Sequence, residues 1–205
     1  MNLRVVRLRS VVAITARAVI WGGLFAVGVV SGCASTKSSG PYSPLSEATR
    51  DPAKSQALCQ EAVACSDDDP ARAEKLLREA LNLDLYNGPA HNNLGVLYLK
   101  QGRLYESAGE FEWARQLLPG HPDPRMNLAL TLEKAGKVDE ALSTYATALE
   151  VYPDHIPTMQ AMARLQLRSG KADPTTRLML EQISLRGESE RWRDWARMQA
   201  IKMEK

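Results

Sequence analysis

From residue 54 onward the apolar positions fall at three- and four-residue spacing. Leu94, Val96, Leu97 and Tyr98 with their neighbours mark one face of an amphipathic helix. Two stretches, 88–121 and 122–155, then align end to end at one constant offset. Gly95 matches Ala129, Gly102 matches Gly136, Phe111 matches Tyr145, Ala114 matches Ala148, Pro119 matches Pro153, and His121 matches His155. This period predicts a repeated helix hairpin. Gly95 and Ala129 remove side-chain bulk where the second helix crosses the first. Gly102 and Gly136 end the first helix, since glycine takes the left-handed conformation cheaply. Ala141 and Ala148 keep the second helix close, Tyr145 fills the groove between neighbouring pairs, and Pro119 and Pro153 stop the second helix. One hairpin cannot bury its apolar face alone, so at least three must stack.

The flanks carry the pattern in weaker form. Residues 54–87 have the length of a repeat, a turn at 67–70 and a second helix with Ala73, Leu77 and Ala80 in the small and large slots, but Leu85 stands where Pro is expected. Residues 156–187 supply another first helix ending at Gly170, then Asp173 as N-cap and Pro174 at the first helical position. Residues 188–205 predict an amphipathic closing helix, with Trp192, Trp195, Ala196 and Gln199 inside and Arg191, Arg193, Arg197 and Lys202 outside.

The segments NLGVLYLKQG (93–102) and KAGKVDEALSTYATALEVYP (134–153) resemble the tetratricopeptide repeat, whose signature runs Leu-Gly, Tyr, Gly, Ala, aromatic, Ala, Pro. Ser107 stands where that pattern wants Ala. The resemblance implies an all-α fold, a solenoid of antiparallel helix pairs over 54–187 with 188–205 as a C-terminal capping helix. It also implies that the first helices line an inner groove that takes a protein or peptide partner. Carried over position by position, the lining is Asn92, Val96 and Leu99, then Met126, Leu130 and Glu133, then Gln160, Arg164 and Leu167. Each triplet follows i, i+4, i+7 spacing on one helical stripe. Chaperone-binding members of the family grip a terminal carboxylate with Lys, Arg and Asn. The corresponding slots here hold Asn92, Val96 and Met126, so that clamp is absent, and Val96, Leu99, Met126 and Leu130 suit an apolar peptide or partner helix.

The N-terminus follows a different logic. Residues 1–32 hold no Asp or Glu but carry Arg4, Arg7, Arg9 and Arg17, and 18–30 run without a charge. Thirteen helical residues span about 20 Å, short of a roughly 30 Å hydrocarbon core, so the layout is that of a secretory signal peptide. It ends in Val30-Ser31-Gly32-Cys33, which resembles the lipobox of bacterial lipoproteins, with Val30 where Leu is commonest. The resemblance implies cleavage before Cys33 and acylation of Cys33, a lipid anchor to an envelope membrane; Ala34 at the next position resembles the default for outer-membrane transfer. Several acyl chains anchor firmly where one binds reversibly. Residues 33–53, rich in Ser, Thr, Gly and Pro, read as a flexible tether that sets the array some 25 Å from the bilayer.

Composition and charge narrow the reading further. The 205 residues are 44% hydrophobic and 24% charged, which excludes wholesale disorder, and only 6% aromatic, which suits helices packed through Ala and Leu. The formal net charge of +2 hints at nucleic acid. Removing the four arginines of the signal leaves 22 Lys and Arg against 24 Asp and Glu, a mature charge of −2, and the hint goes with them. Nucleic acid is therefore not an expected partner.

Nothing in the sequence assembles into a catalytic constellation: there is no phosphate-cradling glycine loop, no GxSxG elbow and no HExxH. No cofactor and no metal site is expected. His121 and His155 share one loop position a repeat apart, and His91 reads as an interhelical polar contact. Asp67, Asp68 and Asp69 lack the twelve-residue ligand spacing of a calcium loop and read as capping, with Asp69 as N-cap. Cys59 and Cys65 are either a disulfide, which needs the helix to end before Cys65, or two buried thiols. The function that follows is a membrane-tethered, non-catalytic binding scaffold of the cell envelope; chains of this type also resemble pilotin-like assembly factors for pili and secretion systems. The competing class is an enzyme or metal-binding envelope protein using Cys59, Cys65 and the histidines, whose scattered positions lack the paired spacing of a zinc site.

Overall fold

The computed structural model describes residues 50–204; Cys33, the signal segment 1–32 and the tether up to residue 49 lie outside the described residues. Among the described residues the chain forms nine helices and no strand. In order they are α1 Pro52–Cys65, α2 Pro70–Leu83, α3 Gly88–Lys100, α4 Leu104–Leu117, α5 Asp123–Lys134, α6 Val138–Val151, α7 Ile156–Arg168, α8 Pro174–Arg186 and α9 Glu190–Met203. The fold is an all-α solenoid of the tetratricopeptide type. Pro52 and Ala53, read above as the end of the tether, are the first two residues of α1.

Local chemistry sets the helix ends. Asp51, Asp69, Asn87, Asp173 and Ser189 each cap a helix by accepting a backbone N–H with the side chain. Pro follows immediately at the start of α1, α2 and α8, where its missing N–H costs nothing. The first helices α3, α5 and α7 end at Gly102, Gly136 and Gly170, with φ of 75°, 78° and 68°. In each corner the residue after the glycine donates its N–H back into the last turn of the helix: Arg103 to Tyr98 (2.9 Å), Lys137 to Leu132 (2.9 Å) and Lys171 to Gln166 (2.8 Å). This closure satisfies carbonyls that the helix leaves orphaned, and glycine is the residue that takes the required left-handed φ.

The α2 corner has no proline and uses another device. Asp84 is extended at φ −148°, and its carboxylate accepts from Arg50 Nε at 2.7 Å and from the Tyr86 amide at 3.0 Å. A buried acid paired on two sides thus turns the chain where Leu85 replaces Pro.

Packing follows the small and large slots. A Cβ on Gly95 would sit 2.7 Å from Phe111 Cε1, so the fully buried Phe111 ring occupies the space that a side chain there would need. Ser107, the departure from the repeat pattern, is fully buried and satisfied: its hydroxyl reaches the Gly95 carbonyl at 2.9 Å and Thr131 Oγ1 at 3.2 Å. One repeat on, Tyr145 packs with Ala129, Ala141 and Leu165, the last from the following pair.

First helices touch first helices along the array, from α1 through α3 and α5 to α7, while the second helices make no comparable contacts with each other. The array therefore bends toward its first helices. Helix α9 starts one full repeat after α7 and packs on α8 through Ala196, Trp192, Ala200 and Met203. Arg193, expected outside, folds inward and donates from Nη1 to the Gly187 carbonyl at 2.7 Å, closing the end of α8. Met198 and Ile201 stay more than half exposed, so the outer side of the cap is not wholly polar.

Helix α1 runs unbroken through Cys59 and Cys65, and both thiols are free, Cys59 buried and Cys65 half-buried. Six helical residues separate them by about 9 Å, beyond bridging distance, so the disulfide alternative falls. Burial pushes the Cys59 thiol up, against a 3.4 Å bond donated by Asn93 Nδ2 that lowers it.

Candidate partner-binding groove

The stripe expected to line the inner face divides into open and closed positions. On α3, Asn92 is half-buried and accepts from Asn127 Nδ2 of α5 at 3.1 Å, so it ties two first helices together. Val96 is half-buried, while Leu99 is 8% exposed and belongs to the core with Phe111 and Leu128. On α5, Met126 and Leu130 keep part of their surface open. On α7, Leu167 is half-buried against the C-terminal cluster, and Arg164 is exposed.

Three members of the stripe, Leu99, Gln160 and Glu133, are largely buried within the fold. Gln160 is only 4% exposed, and its Nε2 has no hydrogen-bond partner among the described residues. Glu133 has a side chain 6% exposed and gathers three donors: Tyr145 Oη at 3.1 Å, Arg164 at 3.3 Å and Arg168 at 3.0 Å. One carboxylate thus binds α5 to α6 and α7. The physical reason is the bend of the array. Neighbouring first helices close over the base of the stripe, so only side chains toward its lip keep solvent. Burial, with the negative Glu133 beside it, pushes the Tyr145 phenol up and keeps it a neutral donor.

The lip carries residues that the stripe left out. Lys100, Lys134, Arg168 and Lys202 stand in the last turns of α3, α5, α7 and α9, each one repeat from the next, and all are exposed. Cations are favoured there by the helix macrodipole. Lys100 meets Asp67 at 2.8 Å and holds that carboxyl below its ordinary range. The signal that marks this column is the repeat period itself, read on charge rather than on apolar side chains.

Two concavities flank the stripe. One is lined by Ala62, Val63, Leu77, Val96, Leu97 and Lys100, an apolar hollow at the α1–α3 end. The other, at the α7–α9 end, is lined by Arg164, Ser189, Arg191, Trp192 and Trp195. There the two indoles meet edge to face at 5.2 Å. The groove therefore changes from apolar to cationic and aromatic along its length.

Two of the histidines serve structure. His91 is fully buried, its Nδ1 2.7 Å from Glu110 Oε2, its Nε2 2.9 Å from the Leu85 carbonyl, and its ring stacked on Trp113 at 5.6 Å. His155 Nδ1 lies 2.7 Å from Thr158 Oγ1. Among the described residues no group of three or more His, Cys, Asp or Glu is placed to hold a metal ion.

Known proteins share this geometry. Residues 105–165 match the tetratricopeptide repeat family model. Tetratricopeptide repeat protein 8 of Homo sapiens is 26% identical over 104 residues, covering 51% of this chain; its Mus musculus counterpart is 24% identical over the same share. The match spans about a fifth of the length of those relatives. Among solved structures, an O-GlcNAc transferase of Thermobaculum terrenum aligns at TM-score 0.60 and 25% identity, over 66% of this chain and 26% of that one. The first TPR of Spaghetti bound to an HSP90 peptide aligns at 0.56 and 15% identity, over 60% of this chain and 98% of that one. MamA from Desulfovibrio magneticus aligns at 0.54 and 15% identity, over 73% and 76%. The helix pairs, the glycine corners and the buried small and aromatic slots agree with these matches, which place the tetratricopeptide repeat over residues 105–165 and give the array the same fold.

Proposed function

We propose that the array is a non-catalytic scaffold that captures a protein or peptide partner along its first-helix groove, held at a bacterial envelope membrane by lipid on Cys33. The observation that carries the binding half is the open lip of the groove: Val96, Met126 and Leu130 offer apolar surface beside Lys100, Lys134 and Arg168. Apolar contact supplies affinity and the basic rim supplies register. The Spaghetti repeats share the fold and are bound to an HSP90 peptide, which supports a peptide ligand here. The absent carboxylate clamp argues for an internal segment of the partner over a chain terminus. The anchoring half rests on Val30-Ser31-Gly32-Cys33 following a charge-free run.

The test is in-cell crosslinking with identification of captured proteins. Lys134→Glu reverses a charge at an exposed site on the lip, at little cost to folding, and it should remove a captured partner; unchanged capture moves the site off this groove. Cys33→Ala should leave an uncleaved or mislocalised precursor, and normal processing with membrane retention rejects the anchor.

A further inference from the structure

Helix α9 builds a hollow as it closes the array. The Trp192 and Trp195 rings meet at 89° with centroids 5.2 Å apart, so the two indoles form a right-angled apolar corner. Arg164 of α7, Arg191 of α9 and Ser189 complete the lining, around about 520 Å³ of space. That volume lies within the roughly 300–1,000 Å³ of small-ligand sites. Trp and Arg are also the side chains that most often anchor a protein partner.

The charges and donors of this hollow are one-sided. Its lining holds two guanidiniums and no carboxylate. Arg164 shares the single Glu133 carboxylate with Arg168, at 3.3 Å and 3.0 Å. Arg191 is exposed and makes no ion pair among the described residues, nor do Glu188 and Glu190, which flank it in sequence. Neither indole N–H has a hydrogen-bond partner among the described residues. The one side-chain acceptor, the Ser189 hydroxyl, already receives the Trp192 amide at 3.3 Å. The hollow therefore calls for a ligand that accepts hydrogen bonds and carries negative charge.

A buried donor points the same way. Gln160 stands one turn before Arg164 on α7, is 4% exposed, and leaves its Nε2 without a hydrogen-bond partner among the described residues. The repeat period indicates what that amide faces. Asn92 accepts from Asn127 across the α3–α5 seam at 3.1 Å. Two repeats on, the same pair of positions is Gln160 and Trp195, across the α7–α9 seam. The register thus sets the orphan amide against the indole that lines the hollow. Native folds rarely leave such a donor unsatisfied, and an acceptor brought by a ligand would satisfy it.

We propose that the hollow takes an acidic side chain of the partner together with an aromatic neighbour. The carboxylate sits between Arg164 and Arg191 over the Gln160 amide, and the ring enters the Trp192–Trp195 corner, where edge-to-face contact adds to burial. This rests on the reading of the groove as a peptide site and gives that site a direction. The acidic and aromatic pair lies at α9, and the apolar stretch of the partner runs toward α1. No chain terminus is needed, in contrast to the Lys, Arg and Asn grip whose slots here hold Asn92, Val96 and Met126.

The test uses the full chain in lipid nanodiscs, with 5-fluorotryptophan at Trp21, Trp113, Trp192 and Trp195, read by fluorine NMR. The probe is the capped peptide acetyl-Gly-Phe-Glu-Phe-Gly-amide, whose only charge is the side-chain carboxylate. It should shift the signals of Trp192 and Trp195 and leave that of Trp113 unmoved. Glu-to-Gln exchange in the probe should weaken binding at least about tenfold, the loss of a charge-assisted hydrogen bond. Arg191→Gln, at an exposed site, should weaken the acidic probe about tenfold and leave the neutral one unchanged. Gln160→Met keeps the volume and removes the orphan amide, so it should raise the thermal midpoint yet weaken the acidic probe, a pairing that a purely structural glutamine would not give. No shift at millimolar probe, shifts away from Trp192 and Trp195, equal binding of the two probes, or undiminished binding by Gln160→Met overturns the proposal. In-cell capture that still depends on Lys134 would then leave the groove reading standing, and its loss would reject both.

Discussion

The two clear repeats, α3–α4 and α5–α6, match at most structural positions yet are stitched to their neighbours by different chemistry. In the first, Gly95 gives its volume to Phe111, a serine hydroxyl bridges to Thr131, and a buried His91–Glu110 pair joins the two helices. In the second, Ala129 faces Tyr145, and the phenol extends through Glu133 to two arginines of the next pair. The repeat pattern therefore prescribes volumes, not polar contacts. Once the volumes are met, each interface is free to place its own hydrogen bonds, and those decide how strongly one pair is coupled to the next.

The comparison is most exposed at His91 and its counterpart one repeat on, Arg125. His91→Leu removes the imidazole from the buried Glu110 and should cost about 3 kcal/mol in urea unfolding, whereas Arg125→Leu, which loses only bonds to the Pro119 and His121 carbonyls at the surface, should cost about 0.5 kcal/mol. Equal losses would mean that the pair contributes nothing beyond packing. Next in size, Gly95→Ala drives a methyl into Phe111 and should cost about 2 kcal/mol; the reverse exchange, Ala129→Gly, should cost about 1 kcal/mol through helix propensity. A smaller effect is expected for Tyr145→Phe, about 1 kcal/mol, since Glu133 keeps both arginines. Its double-mutant cycle with Arg168→Ala should show coupling, and strict additivity would uncouple the phenol from the next repeat.

The smallest difference lies between Arg103 and its counterpart Lys137. Lys137 meets Glu140 on its own helix, whereas Arg103 also reaches back to Glu74 of α2 at 3.2 Å and covers the Tyr98 ring at 4.0 Å. Burial would raise the Glu74 carboxyl, but Arg103 and Arg78 outweigh it and hold the group below its ordinary value of 4.5. Its stabilisation is therefore full above pH 4.5 and fades as pH falls through the lower folded value. Partial exposure limits it to about 0.5 kcal/mol. Glu74→Gln should remove that part of the acid dependence from unfolding midpoints measured between pH 6 and 3, and an unaltered slope would place the acid sensitivity elsewhere.

Much of the fold was legible because its signals are local. Glycine at 102, 136 and 170, proline at 174, and aspartate at 69 and 173 each act within one turn, and the structure uses them as their chemistry predicts. The groove was less legible, because which face of a first helix stays open depends on how tightly neighbours close over it. Leu99 and Gln160 sit on the right stripe but on its buried edge. Glu133 looked like a contact for a partner and is bound within the fold, since its three donors lie 12, 31 and 35 residues away. The basic column could have been read from spacing alone.

The glycine corners carry a mechanical consequence. Gly102, Gly136 and Gly170 divide the array into equal lengths, each closed by the same left-handed turn. A chain pulled from its ends would give way at these corners one unit at a time. Each released pair would add roughly 100 Å of slack, the difference between one fully extended repeat and two packed helices.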